Sequence, residues 1–277
     1  MSKHIPKATR GGIEKANRVF VDRLNRLATG PFTAAEAASL LKIPLARASR
    51  VLRYLQSRGW LSRVRRGLYT TAPLGASEPA EWRADPWVVA SHVFKPCYVA
   101  GWTALHHWSL TEQLFRDTVV VTARPVRARK VRIQGAGYYL KRRPTHAHFG
   151  LKSVWRASSR VPVSDASRTL VDVLDDPRLG GGIRHVAAAL VSYWESEYLD
   201  ADLLLSYAAR ARNRAVYKRL GFLLEQMGIH APSAIEECKV RRSSGLTVLD
   251  PSVRLAGTIT KRWNLRVNVT LKADRGA

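Results

Sequence analysis

Between Ile13 and Thr70 the apolar residues change period in a way few small folds accommodate. Ile13, Ala16, Phe20, Leu24 and Leu27 recur at three- and four-residue spacing, which predicts a helix over Ile13–Ala28 ended by Gly30-Pro31. Thr33-Ala34-Ala35-Glu36 is a capping-box pattern, in which the threonine hydroxyl accepts the third helical amide and Glu36 reaches back. It opens a short helix over Ala34–Leu41, apolar on Ala37, Ala38 and Leu41, and Ile43-Pro44 breaks the chain after it. A third helix is predicted from Leu45 to Arg58 and ends at Gly59. Ala48, Val51, Leu52 and Leu55 face inward, and Arg47, Ser49, Arg50 and Arg53 face outward, with Gln56 further along. Trp60, Leu61, Val64, Leu68 and Tyr69 then flank an Arg66-Gly67 turn, the pattern of a small hairpin with an arginine-rich tip.

Helix, short helix, turn, helix and hairpin is the layout of a winged helix-turn-helix. A helix of this kind fits the DNA major groove, where arginine pairs with guanine edges. A basic hairpin tip lies along phosphates or enters the minor groove. The same pattern also describes a three-helix bundle with a solvated basic face, or a protein-docking module.

Charge weighs on that choice. Lys and Arg number 46 against 21 Asp and Glu, a formal net charge of +25. Such a surplus favours polyanionic partners, nucleic acid before anionic membrane. It is also unevenly placed: residues 1–72 carry 15 basic and 3 acidic side chains, and residues 124–160 carry 11 and none. The apolar fraction of 46% fits a folded protein rather than a basic tail.

The chain of 277 residues allows one large or two modest domains at roughly 100–200 residues each. Leu74–Pro86, with prolines at 73, 79 and 86, reads as a linker. The expected organisation is α+β: an N-terminal winged helix-turn-helix over residues 1–72, a linker over 73–86, and a larger mixed α/β domain over 87–277. In the larger domain, Val88–Ala90 and Tyr98–Ala100 flank a helix start at Gly101, and Thr118–Thr122 is a β-branched strand. Val131–Gln134 and Tyr138–Leu140 pair across Gly135–Gly137. Arg124, Arg127, Arg129, Lys130, Arg132, Lys141, Arg142 and Arg143 make a second basic region there. A helix is expected over Val163–Leu174 with Ser164 as N-cap and Asp165 against its positive end. Further helices are expected over Ile183–Tyr193, around Asp200–Ala208 and over Val216–Met227, and strands within Gly245–Leu271.

Each pattern that suggests chemistry has a plainer explanation. Asp165 and Asp172 share a helix face with Arg168 between them, which serves a salt-bridge ladder as well as a divalent cation. His146 and His148 would project to one side of a strand, but no third ligand has metal spacing. Gly180-Gly181-Gly182 lacks the following Lys-Ser or Lys-Thr of a phosphate loop, and no Gly-x-Ser-x-Gly elbow is present. No catalytic, cofactor-binding or metal residue is therefore assigned, and no cofactor is expected. Cys97 and Cys238 read as reduced thiols. With no signal-peptide core and no transmembrane run, a cytoplasmic protein without membrane contact is expected.

Several stretches, taken in order, resemble the AbiEi family, the antitoxin and transcriptional-regulator component of type IV toxin–antitoxin systems. They are the winged unit ending Gly67-Leu68-Tyr69, the run Tyr98–Leu105, Ser167-Arg168-Thr169-Leu170-Val171-Asp172, and Lys218–Glu225. The resemblance implies a winged helix that binds double-stranded DNA at inverted repeats upstream of its own operon and represses it. It implies a C-terminal domain required for antitoxicity and a nucleotidyltransferase-like cognate toxin, without implying stable contact with it. By similarity the DNA-contacting group is Arg47, Ser49, Arg50, Arg53, Arg63, Arg65 and Arg66, while Arg168, Asp172, Lys218, Arg219 and Leu220 are scaffold or interaction positions. Two other readings remain: a metal-dependent nuclease with a winged substrate-binding domain, and an antitoxin that docks on its toxin directly.

Overall fold

The computed structural model describes residues 12–72 and 82–271. The linker reading falls on Pro73–Glu81 for the most part, outside the described residues. The chain divides into two compact units, one of Met1–Lys95 with 132–136 and 155–161, the other of the remainder.

The first unit begins with α1 (Lys15–Leu27), then β1 (Phe32–Thr33), α2 (Ala34–Leu41) and α3 (Leu45–Ser57), followed by β2 (Leu61–Arg65) and β3 (Leu68–Thr71). The capping box forms as expected. Thr33 Oγ1 accepts from the Glu36 amide at 3.3 Å, and Glu36 Oε2 accepts from the Thr33 amide at 2.7 Å. The strands make an antiparallel sheet ordered β1-β3-β2, with Phe32 opposite Tyr69 and Leu61 opposite Thr71. Its core joins Val21, Leu24, Phe32, Ala37, Leu41, Leu52, Leu55 and Leu61. On α1 the inward face is the expected one in part: Val21 joins Leu24 as buried, while Ala16 and Leu27 are exposed. Leu24 is buried as expected and Ile13 and Phe20 pack against the same core half-buried, so the expected face holds at those three and fails at Ala16 and Leu27, with Val21 added. The unit also holds α4 (Pro86–Val93), capped by Asp85 Oδ1 accepting from the Trp87 and Val88 amides, so Val88–Ala90 is helical.

The second unit contains β4 (Cys97–Val99), α5 (Gly101–His107) and β5 (Asp117–Thr122). Then come β6 (Lys130–Ile133), β7 (Ala136–Arg142), β8 (Leu151–Arg156) and β9 (Ser159–Ser164), of which the β6–β7 turn region and the β8–β9 turn region cluster with the first unit. They form a six-stranded mixed sheet ordered β6-β7-β5-β4-β9-β8, in which β5 runs parallel to β7 and antiparallel to β4, and β4 runs parallel to β9. The helices α6 (Ala166–Asp175), α7 (Ile183–Trp194), α8 (Ala201–Arg210), α9 (Ala215–Gln226) and α10 (Pro232–Arg241) follow. A small sheet, β10 (Thr247–Val248), β11 (Thr258–Thr260) and β12 (Leu265–Val267), closes the unit in the order β10-β12-β11. Gly221 sits mid-α9 because a Cβ there would collide with the buried Trp263 indole.

Three local expectations are corrected. The strand β9 runs through Val163 and Ser164, and α6 starts only at Ala166. Asp165 is therefore the N-cap, its Oδ1 accepting from the Arg168 amide at 2.8 Å. The hydroxyl of Ser164 is occupied with Val99 and Thr169 instead. His146 and the neighbouring His148 lie in and after a 3₁₀ turn, Thr145–Ala147, rather than on a strand. α10 was not foreseen. Cys97 and Cys238 are both buried, and neither forms a disulfide among the described residues.

Candidate nucleic-acid interface

On α3, Ala48, Leu52 and Leu55 are buried and Val51 is half-buried. Helical geometry then leaves Arg47, Arg50 and Arg53 outside, and all three are exposed; Ser49 is half-buried. Two of the arginines are partly held by their own surroundings. The Arg47 guanidinium lies 5.8 Å from the Phe20 ring centroid, and Arg53 Nε donates to the Ser49 carbonyl at 3.2 Å. Among the described residues no ion pair engages Arg47, Arg50 or Arg53.

The wing carries the second group. A β-bulge shifts the β2–β3 register between Arg63 and Arg65, where Val64 is the extra residue and is buried. Arg63, Arg65 and Arg66 are exposed. Gly67 completes the tip at φ 75°, a left-handed turn position that any other residue would strain. Arg63 Nε donates to the Arg65 carbonyl at 3.4 Å, so the tip is braced from within. Two exposed cations escaped the sequence reading: Lys42, at φ 55° in the turn joining α2 to α3, and Arg58, the C-cap of α3. Both mark helix ends, where a basic residue beside a break is the available signal.

The middle basic segment is less free than its composition implies. Lys141 pairs with Asp176 at 2.6 Å, Arg143 pairs with Asp175, and Arg156 pairs with Asp85 at 2.8 Å. Arg160 stacks on Trp155 at 4.6 Å. Within the first unit, the Gln134 side chain donates to Ser62 Oγ on β2 at 2.9 Å.

The carboxylates that invited a nuclease reading are engaged. Asp172 is 4% exposed and accepts from Arg168 at 2.8 Å and from Tyr98 Oη at 3.1 Å. Asp165 caps α6 with one oxygen and accepts from Tyr207 Oη with the other, at 3.0 Å. Half of the expected ladder exists, the Arg168–Asp172 rung. Burial raises the Asp172 carboxyl above its usual range, and Arg168 opposes that rise. Burial likewise drives the Tyr98 phenol far up, with the Asp172 charge adding to it. Among the described residues no three His, Cys, Asp or Glu side chains converge as a metal site would require. No described helix is long and apolar enough to cross a membrane.

Three helices with a β-hairpin wing, basic on α3 and at the wing tip, define the first unit as a winged helix-turn-helix. Residues 20–72 match the model of the AbiEi_4 family, described as transcriptional regulator, AbiEi antitoxin, and over that segment the resemblance drawn from the sequence holds. Among solved structures, the chain is similar to the RV2827C protein from Mycobacterium tuberculosis. They are 16% identical over 94% of this chain and 93% of that one, at a TM-score of 0.66, a likeness of fold. No curated protein matches the sequence.

Proposed function

We propose that the chain is an antitoxin and DNA-binding autorepressor of a type IV toxin–antitoxin operon, acting in the cytoplasm against a nucleotidyltransferase-like toxin. The observation that carries the reading is the joint exposure of Arg47, Arg50 and Arg53 on α3 and Arg63, Arg65 and Arg66 on the wing, within a segment matching a regulator family. In this reading α3 enters the major groove and its arginines read guanine edges, with Ser49 beside them. The wing arginines hold phosphates or reach the minor groove, fixing the register of α3. Residues 1–72 then bind the inverted repeats, and residues 87–277 supply antitoxicity.

Electrophoretic shift on the intergenic DNA upstream of the operon tests the first half. Binding should step up over inverted repeats and collapse in the Arg50→Glu/Arg53→Glu variant; full affinity in that variant removes the assignment. Co-expression with the neighbouring toxin tests the second half, since rescue of growth by residues 87–277 alone is expected.

A further inference from the structure

A cavity of about 320 Å³ opens in the second unit where α8, α9 and α10 converge, and Arg212, Asn213, Arg214, Tyr217 and Arg241 line it. Its lining residues fall outside every motif used above. No carboxylate lines it. Among the described residues Arg212 and Arg214 have no acidic partner, while Arg241 is paired with Glu237.

The lining presents donors and almost no free acceptor. Arginine is a donor only. Asn213 is used up at both ends: its amide nitrogen donates to Asp175 at 2.6 Å, and its oxygen accepts from the Ala215 amide at 3.1 Å. Tyr217 is 3% exposed, and the group facing its hydroxyl is the Arg241 guanidinium, which can donate to it but cannot accept its proton. Burial raises that phenol above its ordinary range although the Arg241 charge pulls it down, so at neutral pH it keeps its proton and donates. A buried hydroxyl proton with no acceptor is costly unless a ligand supplies one. The first amides of α9 are already taken, Ala215 by the Asn213 side-chain oxygen and Val216 by the Asn213 carbonyl, so the recognition here falls to side chains. Arg212 sits at φ 54°, where glycine or asparagine is the ordinary choice, and the chain keeps a long cation there at the cost of strain.

We propose that this cavity binds the phosphate or pyrophosphate group of a small phosphorylated ligand. The chemistry is an acceptor-only, multiply charged group matched to guanidinium forks and a phenolic donor. The concavity favours a terminal phosphoryl group over a duplex phosphate, which sits on a convex backbone flanked by sugars.

Calorimetric titration of the full chain with inorganic pyrophosphate, and separately with inorganic phosphate, tests this. Saturable one-to-one binding is expected, weakened about tenfold or more in Arg212→Ala/Arg214→Ala, whose melting without ligand should match the parent. Tyr217→Phe, which removes only the hydroxyl, should weaken it a few-fold and serves if the double variant fails to fold. Three results overturn the proposal: no saturable heat with either anion, equal binding by the variants, or a short DNA duplex displacing pyrophosphate at equal phosphate concentration. The last would make the cavity a backbone contact.

Discussion

On α3, Arg47, Arg50 and Arg53 stand exposed; on α9, Lys218 and Arg219 are 0% and 5% exposed. Among the described residues the buried pair makes no ion pair; Asp176 and Asp250 act on Arg219 only through their charge. Lys218 Nζ donates to the Gly245 carbonyl, to Thr247 Oγ1 at 3.1 Å and to the Asn264 carbonyl at 3.5 Å. Arg219 spreads its fork over the carbonyls of Leu174, Asp175, Val248 and Leu249 at 2.8–3.2 Å. These two side chains tie α9 to the end of α6 and to the segment leading through β10. Burial lowers the Arg219 guanidinium to about 10, so it stays charged at neutral pH. Arg168 is a third case, 2% exposed, ion-paired to Asp172 and lying 3.9 Å from the Phe149 ring centroid, as Arg210 also does. The comparison teaches that a surplus of +25 is not one quantity. Part of it is presented to a partner, and part is internal cross-linking whose acceptors are backbone carbonyls.

The largest expected effect breaks the comparison from the buried side. Arg219→Met leaves up to four carbonyls without their donor and should cost about 3 kcal/mol or more. For a unit of this size that lowers the melting midpoint by roughly 6–12 °C. Affinity of the remaining folded protein for DNA should stay as in the parent. Thermal melting and shift assays run together check this, and equal melting of parent and variant would contradict the carbonyl-clamp account.

Arg50→Glu/Arg53→Glu attacks the exposed side. Each arginine is worth about 1–3 kcal/mol in a base or phosphate contact, so the pair should weaken operator binding by about a hundredfold or more. Melting should not change, because neither side chain is ion-paired among the described residues. If about six phosphates are neutralised, log affinity falls with log salt at a slope near −5. The α3 pair reads bases, so its loss should blunt discrimination between sequences; it is Arg65→Ala/Arg66→Ala, at the phosphates, that should flatten the slope by about 2.

How far these two roles were legible in the sequence follows from where the partners lie. In the winged unit the determinants are local: the Thr33–Glu36 box, the α3 apolar face and the Arg66-Gly67 turn each fit within a few residues. Exposure of the six arginines followed from helical and strand period once the apolar face was placed. Asp165 and Ser164, adjacent residues both able to cap, were not separable by pattern. The choice fell to β9, whose buried Val161 and Val163 extend the strand through Ser164. α10 was missed because only Ala234 and Cys238 of its ten residues are buried, too thin an apolar stripe to register. The carbonyl partners of Lys218 and Arg219 leave no mark in side-chain sequence at all, so those residues looked like any exposed basic pair. The α9 reading placed them on a helix; its burial on every side comes from α6 and α10 packing against it and from the segment through β10, more than twenty residues away.

Asp176 sharpens the intermediate case, in which a member of the middle basic segment is committed inside the fold. Burial works against its charge, yet hydrogen bonds from Arg178 and Lys141 hold the carboxyl down at about 2. A depressed folded value stabilises above the unfolded value of 3.8 and is lost as pH falls toward about 2. The size is about 2 kcal/mol. Urea unfolding of parent and Asp176→Asn should differ by that amount above pH 5 and converge near pH 2. A gap that persists unchanged at pH 2 would mean the carboxylate charge is not what stabilises.

The smallest effect separates scaffold from contact within the winged unit itself. Thr33 satisfies the Glu36 amide and its own amide is satisfied by Glu36 in return, while α2 packs on α3 and so sets the angle at which the α3 arginines stand. Thr33→Ala removes one half of the box and should destabilise by about 1 kcal/mol. Because the buried residues Ala37 and Leu41 still fix α2 from the apolar side, the position of α3 should hold. Operator affinity well below the melting temperature should therefore change less than twofold, even as urea unfolding shifts. A loss of affinity out of proportion to the loss of stability would show that the cap, and not the α2–α3 contact, sets the pose of the recognition helix.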